Sequence, residues 1–373
     1  MRILLVVRWP SGGIRTYLRY VYRHAELREH SFALVSPSAQ HLDFLSEPEF
    51  SSHVEYLPLD PGVMRFGAGI VSALRSWRPD LVHSHGFTSG IFAAPLARLL
   101  RKPSVLTPHD MLLDSHLTGR AGSVRRLGVR LALQSANHVM AVGEDARRNL
   151  LGFMPKLAEA ERCSVVRNGI DAQAFLGPER RDLRRELGLA PQTLLLGFFG
   201  RFMAPKGFTV LVDAVADCRG RGLDVQVACF GWGGFIREEQ DNLRQRGLAE
   251  AFHFLPHTDN VMAALRGVDV VTAPSRWETC PLLPMEALVA GAPLLASDCV
   301  GMREVVRNTP ALVFPSGAAA VLSQRIQQLT NELAGLQQAA EAFREEAARR
   351  FDSAQTARGL AEIYRRFGAG NRV

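Results

Sequence analysis

Ser275-Arg-Trp-Glu278-Thr-Cys-Pro281-Leu282-Leu283-Pro284-Met-Glu286-Ala-Leu-Val-Ala-Gly291 carries two glutamates eight positions apart. An apolar run from Asp269 ends in a Pro274-Ser275 turn before it, and Gly291-Ala-Pro-Leu-Leu-Ala-Ser-Asp298 follows it. This reads as a strand, a loop with one carboxylate, a helix with the second, then a strand closed off by Gly291. Pro281 or Pro284 suits the first helical turn, where a missing amide costs least. The amides near Leu282 and Leu283 are then free at a helix start, where the dipole favours phosphate. A strand-to-helix loop in an open α/β sheet lies where ligands bind. Carboxylates there accept hydrogen bonds from sugar hydroxyls.

The same alternation extends to both ends of the chain. Ile3–Val7, Phe32–Val35, Val54–Leu57, Leu81–His83, Ser104–Thr107, His138–Val142 and Ser164–Val166 are short apolar runs. They are separated by helix-like stretches such as the Ile14, Tyr17, Leu18, Val21 series, with i, i+3, i+4, i+7 spacing. The second half repeats the plan, with runs at Leu194–Phe199, Val225–Phe230, Phe252–Leu255, Val268–Ala273, Pro293–Ala296 and Ala311–Phe314. The pattern predicts α/β architecture: two doubly wound, Rossmann-like domains with mostly parallel sheets, a cleft between their strand ends, and a terminal helix. The expected divisions are 1–188, 189–350 and a C-terminal helix over 351–373, with Leu360, Ile363, Tyr364 and Phe367 on one face.

Bulk properties narrow the function. At 373 residues the chain is long enough for two cores. The net charge of +7 falls entirely within residues 1–190, and 191–373 is balanced. A basic half points to an anionic partner. Nucleic acid is disfavoured, because the basic half lacks an aromatic-rich binding pattern. Five cysteines without CxxC spacing predict reduced thiols in a cytoplasmic protein. Met1–Val7 is too short an apolar run for a signal peptide, and no run reaches the ~18 residues of a membrane span.

Four further motifs carry chemistry. Arg8-Trp-Pro-Ser-Gly12-Gly13 ends the first strand and opens a helix, so backbone amides can approach an anion; a plain turn is the alternative. Gly200-Arg201 and Lys206-Gly207 frame the corresponding loop of the second half, where a guanidinium fork and an ammonium can clamp a diphosphate. Cys229-Phe-Gly231-Trp-Gly233 is a glycine-rich turn, and His253-Phe-Leu-Pro-His257 ends a strand near the same edge. His83 and His85 share one strand face without a third metal ligand nearby, so packing is expected there.

In this order, these motifs resemble the retaining glycosyltransferases of family 4, with the GT-B fold. The resemblance spans nearly the whole chain, including Arg78–His85 and Val166–Asp171. It implies that the terminal helix crosses back to the first domain. Arg201 and Lys206 would hold the diphosphate of a UDP- or GDP-sugar and stabilise its departure without metal or other cofactor. Glu286 would bind the ribose, with Gly200, Gly231, Gly233, His257, Pro281, Leu282 and Leu283 completing the donor site. Glu278 would contact the transferred sugar, Gly12 and Gly13 would lie against the diphosphate, and His109 would face the sugar with Asp110 orienting it. A glycan or lipid-linked acceptor is implied, in surface polysaccharide synthesis of the lipopolysaccharide or exopolysaccharide kind. The family often has glycine where Thr279 stands, an acid where Trp232 stands, and a glycine pair at Gly301, so donor identity is left open.

Arg15 and Arg19 on the first helix, continued by Arg23, form one basic stripe, and Arg125 and Arg126 with Arg120 and Arg130 form a second. Both are expected to meet acceptor or an anionic inner membrane on its cytoplasmic face. The competing readings are a GT-B enzyme with a soluble product (a glucan synthase or disaccharide phosphorylase), a nucleotide-sugar epimerase, and a catalytically silent scaffold of the same fold.

Overall fold

The computed structural model describes residues 1–37, 42–159 and 161–369. They form two compact units: Met1–Ile170 with Ser353–Val373, and Asp171–Asp352.

The first unit holds seven parallel strands, β1 (Arg2–Val7), β2 (Ser31–Ser36), β3 (Val54–Pro58), β4 (Leu81–His85), β5 (Ser104–Thr107), β6 (His138–Ala141) and β7 (Cys163–Val165). They lie in the order β3-β2-β1-β4-β5-β6-β7. Successive residues of β1 face opposite sides, and both sides are covered. Ile3, Leu5 and Val7 pack with Tyr17, Leu18 and Val21 of the helix Gly13–Val21. Leu4 and Val6 pack with Phe66 and Ile70 of the helix Val63–Ser76. That is why β1 reads as an unbroken apolar run rather than an alternating one.

The C-terminal helix Ser353–Ala369 belongs to this first unit. Leu360, Ile363 and Tyr364 are buried in the β1 core and Phe367 packs against it. Each fully buried side chain of this size contributes roughly 1.5–3 kcal/mol. Two backbone-directed bonds seat the helix start: the Ser353 amide donates to the Ile170 carbonyl at 2.9 Å, and Thr356 Oγ1 to the Arg167 carbonyl at 2.7 Å. Residues 370–373 of the expected helix lie outside the described residues.

The second unit holds six parallel strands, β8 (Leu194–Phe199), β9 (Val225–Phe230), β10 (Phe252–Leu255), β11 (Val270–Ala273), β12 (Leu294–Ser297) and β13 (Leu312–Phe314). Their order is β10-β9-β8-β11-β12-β13. Phe198, Phe202 and Phe208 pack as an aromatic wedge with Phe252. The long helix Ala319–Phe351 adds Leu322, Ile326 and Leu329 to the same core.

The first unit ends at Ile170, earlier than the 188/189 boundary read from the sequence. The charged run that reads as a linker is in fact anchored. Leu183 is fully buried, the Arg181 amide donates to the Ala263 carbonyl at 2.9 Å, and Arg184 Nη2 meets Asp269 Oδ2 at 2.7 Å.

In each sheet the winding reverses beside the unit's first strand, between β1 and β4 and between β8 and β11. Loops leaving the carboxyl ends of those strands are the ligand-binding positions of a doubly wound sheet.

Candidate active site

In the second unit, three loops at the switch point are stitched together by backbone bonds. After β8, the Gly200 amide donates to the Phe230 carbonyl at 2.9 Å and the Phe202 amide to the Trp232 carbonyl at 3.1 Å. After β11, the Arg276 amide donates to the Pro205 carbonyl at 2.8 Å. The approach of the first two loops requires glycine, since a Cβ at Gly231 would run into the Gly200 carbonyl.

This frame brings Lys206 and Glu278 together. Lys206 ends the 3-10 turn Ala204–Lys206, just before the helix Phe208–Gly220. Its Nζ donates to Glu278 Oε1 at 2.7 Å, and Ser275 Oγ donates to the same oxygen at 2.7 Å. The pair is mostly buried, with the glutamate side chain 13% exposed. Ser297 Oγ donates to the Ser275 carbonyl at 2.6 Å and fixes that loop from below. Lys206, Ser275, Glu278, Pro281, Leu283 and Met302 line a small cavity over Phe198 and Phe199. Arg201 is half-buried beside Gly200 and has no hydrogen-bond or ion-pair partner among the described residues.

Glu286 lies in the helix Leu283–Ala290, with Pro284 rather than Pro281 in its first turn and Leu282 as its N-cap. Glu286 is the one residue from Pro284 to Ala290 that is not buried. His257 is on an exposed loop after β10, 3.5 Å from Asp259. Trp232, between the glycines of the β9 loop, is 57% exposed.

Gly301 holds the Glu278 loop from the far side. Its φ is +80°, and a Cβ there would press on the Glu278 carbonyl and sit 2.8 Å from the Thr279 oxygen. Gly301→Ala is therefore expected to lower unfolding free energy by about 1–3 kcal/mol. Gly13→Ala, whose Cβ would meet nothing within 4 Å, is the control in the same denaturant titration.

The first unit's switch point holds a buried chain of hydrogen bonds. His109, just past β5, pairs its Nε2 with His85 Nδ1 at 3.0 Å. His85 Nε2 meets Tyr22 Oη at 2.9 Å, Tyr22 meets Tyr364 Oη at 3.0 Å, and Tyr364 meets His83 Nδ1 at 2.6 Å. His83 Nε2 ends the chain on Thr107 Oγ1 at 2.7 Å. Burial holds His83 and His109 down to about 3, and His85 well below the ordinary imidazole value. Burial likewise pushes Tyr22 and Tyr364 well above the usual phenol range. All five groups are neutral near pH 7, and each can give one hydrogen and accept one.

Tyr22 Oη also lies 3.3 Å from His83 Nδ1, beside this chain. Two proton arrangements use every hydrogen along the chain itself. In one, hydrogens run from Thr107 through His83, Tyr364, Tyr22 and His85 to His109 Nε2, and His109 Nδ1 carries a hydrogen. In the other, every bond reverses and His109 Nδ1 is an acceptor. His109 Nδ1 itself has no partner among the described residues. Tyr17 packs edge-on to the His109 ring at 4.8 Å. His109 is thus oriented by His85 and Tyr17, while Asp110, expected to orient it, turns Oδ1 to the Met111 amide at 3.1 Å. His83 and His85 are buried in this chain, and the loop after β5 brings a third histidine, His109, against His85. No group of three His, Cys, Asp or Glu side chains among the described residues is placed to hold a metal ion.

The basic stripe on and just after the helix Gly13–Val21 is ion-paired within its own unit. Arg15 pairs with Asp43 at 2.6 Å, Arg19 with Glu47 at 2.8 Å and Arg23 with Glu49 at 3.6 Å. The helix Gly119–Ser135 differs: Val124, Leu127 and Leu131 are exposed beside Arg120, Arg125, Arg126 and Arg130. Arg126 and Arg130 lie over the Phe153 ring at 6.0 and 5.6 Å.

Comparison with known proteins bears directly on this site. Residues 12–169 match the family described as "Glycosyl transferase 4-like domain", and residues 193–332 match "Glycosyl transferases group 1". The chain is a family 4 glycosyltransferase of the GT-B fold. It is 27% identical to the protein named EpsF of Bacillus subtilis, over 78% of this chain and 77% of that one. It is 30% identical to a D-inositol 3-phosphate glycosyltransferase of Nocardia farcinica, over 61% of this chain and 53% of that one. The alignment thus spans about half the length of that relative. In fold, it is similar to Anabaena Alr3699/HepE crystallised with UDP-glucose, with a TM-score of 0.84 at 22% identity over 98% of this chain and 99% of that one. It is also similar to sucrose-phosphate synthase from Thermosynechococcus elongatus, with a TM-score of 0.82 at 17% identity over 99% and 100% of the two chains. Each family match includes the switch point of one unit.

Proposed function

We propose that this family member is a retaining, metal-independent hexosyltransferase that moves a sugar from UDP to a glycan or lipid-linked acceptor in surface polysaccharide synthesis. The observation that carries the reading is the stitched switch point of the second unit, where Lys206, Glu278 and the unpaired Arg201 sit on loops held by main-chain bonds. An ammonium held in place, as Lys206 is by Glu278, needs no reorganisation as charge develops on a departing diphosphate. Arg201 takes the diphosphate as a fork and Lys206 as a point charge. Glu286 accepts from the ribose hydroxyls. Glu278, already held by Lys206 and Ser275, accepts from the sugar rather than acting as a free base. No further carboxylate stands out as a nucleophile, so we assign same-face attack assisted by the leaving phosphate. Whatever His109 contributes, it contributes as neutral imidazole. Uridine is favoured over guanosine because a fold neighbour was crystallised with UDP-glucose.

Thermal denaturation in the presence of UDP-, GDP- and ADP-sugars tests the donor. UDP-glucose or UDP-galactose is expected to raise the melting temperature, since a ligand that binds only the folded state stabilises it. A shift with GDP-sugars alone would overturn the uridine assignment. Stabilisation by donor with no transfer or hydrolysis of any sugar would support the scaffold reading instead.

The exposed apolar and arginine residues of the helix Gly119–Ser135 support peripheral membrane contact at the acceptor side. No helix among the described residues is long and apolar enough to cross a membrane. Removing the charges of Arg125 and Arg126 should release the protein from phosphatidylglycerol vesicles. Unchanged sedimentation with such vesicles would favour a soluble product.

A further inference from the structure

A second cationic site lies at the opposite edge of the first sheet. Pro103, Asn137 and Arg162 stand just before β5, β6 and β7, at the amino ends of the strands rather than the carboxyl ends. They line an open cavity of about 640 Å³ together with Arg98, Arg101, Lys102, Arg366 and Phe367. Five of the lining residues are cations and none is an acid.

The guanidinium groups are placed, not merely present. Arg98 Nη1 donates to the Gln134 carbonyl at 3.1 Å, and Arg162 Nη2 to the Leu133 carbonyl at 2.6 Å. Both carbonyls end the helix Gly119–Ser135, where the dipole favours cations. Those bonds use one donor of each fork. Arg162 Nε is buried without an acceptor. Arg162 also feels the neighbouring Arg98 charge, which together with burial lowers its hold on its proton. Helix capping accounts for two of the cations only. Arg101, Lys102 and Arg366 have no hydrogen-bonding or ionic side-chain partner among the described residues.

Arg101 is the most telling of the three. It follows the helix Phe87–Leu99 with φ +56°, while the Lys102 amide reaches back to the Ala97 carbonyl at 2.8 Å. That is the left-handed position after a helix, which glycine fills at least strain. This chain holds an arginine there, at a backbone cost, and directs it to a cavity already rich in positive charge. Five like charges without a counter-ion repel one another, and an entering anion removes that repulsion.

We propose that this cavity binds a phosphate-bearing polyanion, separately from the donor site. Several guanidinium forks match phosphate oxygens, and the volume is that of a small-ligand pocket rather than of a single ion. The phosphates can belong to a soluble phosphoanhydride or to anionic lipid headgroups, and the two sources are separable by experiment.

The test uses the full chain in low-salt buffer, with Arg101→Gly, alone and combined with Arg366→Gln, as pocket variants. Arg101→Gly relieves the backbone strain, so it should fold at least as stably as the parent. Inorganic pyrophosphate is titrated by calorimetry, with Lys206→Ala separating binding at the donor loops. Sedimentation with phosphatidylglycerol against phosphatidylcholine vesicles forms the second arm. We expect the class of sites that survives Lys206→Ala to weaken about tenfold in Arg101→Gly, as for loss of one charge-assisted contact, and further in the double variant. A pocket-dependent loss of pyrophosphate binding alone identifies a soluble ligand. A matching loss of phosphatidylglycerol binding identifies a lipid surface. Unchanged binding in both arms, in variants that remain folded, overturns the proposal.

Discussion

Lys206→Ala is expected to lower the rate of sugar transfer by about a hundred- to a thousandfold, or roughly 2.7–4 kcal/mol of transition-state stabilisation. The size follows from when the charge is needed. A lysine that merely attracted an anionic donor would help the bound donor and the departing diphosphate equally, and its loss would appear in KM alone. An ammonium fixed by Glu278 at 2.7 Å instead stands ready for the charge that appears as the glycosidic bond breaks. The fall should therefore lie mainly in kcat. Lys206→Arg keeps the charge but changes its shape, and should recover only part of the rate. Glu278→Gln keeps a hydrogen-bond acceptor for Lys206 and Ser275 while removing the charge. The combined Lys206→Ala, Glu278→Gln variant should show clear non-additivity, as expected for residues in contact. Equal falls in donor affinity and rate would leave Lys206 as a binding group only. A fall below about threefold would remove it from the mechanism.

Most strands were legible because they are buried on both faces. Runs such as Ile3–Val7 and Leu194–Phe199 have no polar alternation to obscure, and helices on each side of the sheet account for that. The face of the terminal helix was legible too, from Leu360, Ile363 and Tyr364. That it returns to the first unit was implied by the family resemblance. The residues it meets there were not legible, since Tyr364 meets His83 across 281 positions of chain. The boundary near Ile170 was hidden by composition. Pro178–Glu186 carries the charges of a linker, but Leu183 is buried and Arg184 answers the buried Asp269.

The site was legible as residue types and loop positions, less so as bonds. Gly200, Arg201, Lys206 and Glu278 could be placed on strand-ending loops because those loops follow clear strands. The Lys206–Glu278–Ser275 contact depends on how β8 and β11 come to be neighbours, which is tertiary information. The partners of Arg15 and Arg19 were not legible for the same reason: Asp43 and Glu47 come from a separate segment. The histidine chain left one trace, the HxH of β4. A fuller signal was available in Tyr22, which follows the first helix on its apolar side and whose buried hydroxyl finds partners in the chain, whereas the Tyr17 hydroxyl stays unpaired.

Acid should destabilise the first unit well before carboxylates begin to protonate. An unfolded histidine has a pKa near 6.5, whereas His83 and His109 are held down to about 3 in the folded chain. Between those values the unfolded state binds more protons, so stability is full above pH 6.5 and falls as pH drops toward 3. At pH 5 each such histidine removes about 2 kcal/mol, from 1.5 pH units at 1.36 kcal/mol each. His83, His85 and His109 share one buried chain, so the combined loss is several kcal/mol, set against a total stability of about 5–15 kcal/mol. Asp43 pulls the same way, because its bond to Arg15 holds its carboxyl below the usual range, but its contribution is lost only at lower pH. The measurement is chemical unfolding between pH 7.5 and 5, with hydrogen exchange reporting the two units separately. Protection in β1, β4 and β5 should collapse first. His109→Gln should reduce the slope of stability against pH by about one proton below pH 6. A flat profile down to pH 5 would mean that the buried imidazoles find charged partners on protonation, and the neutral hydrogen-bond chain would have to be abandoned.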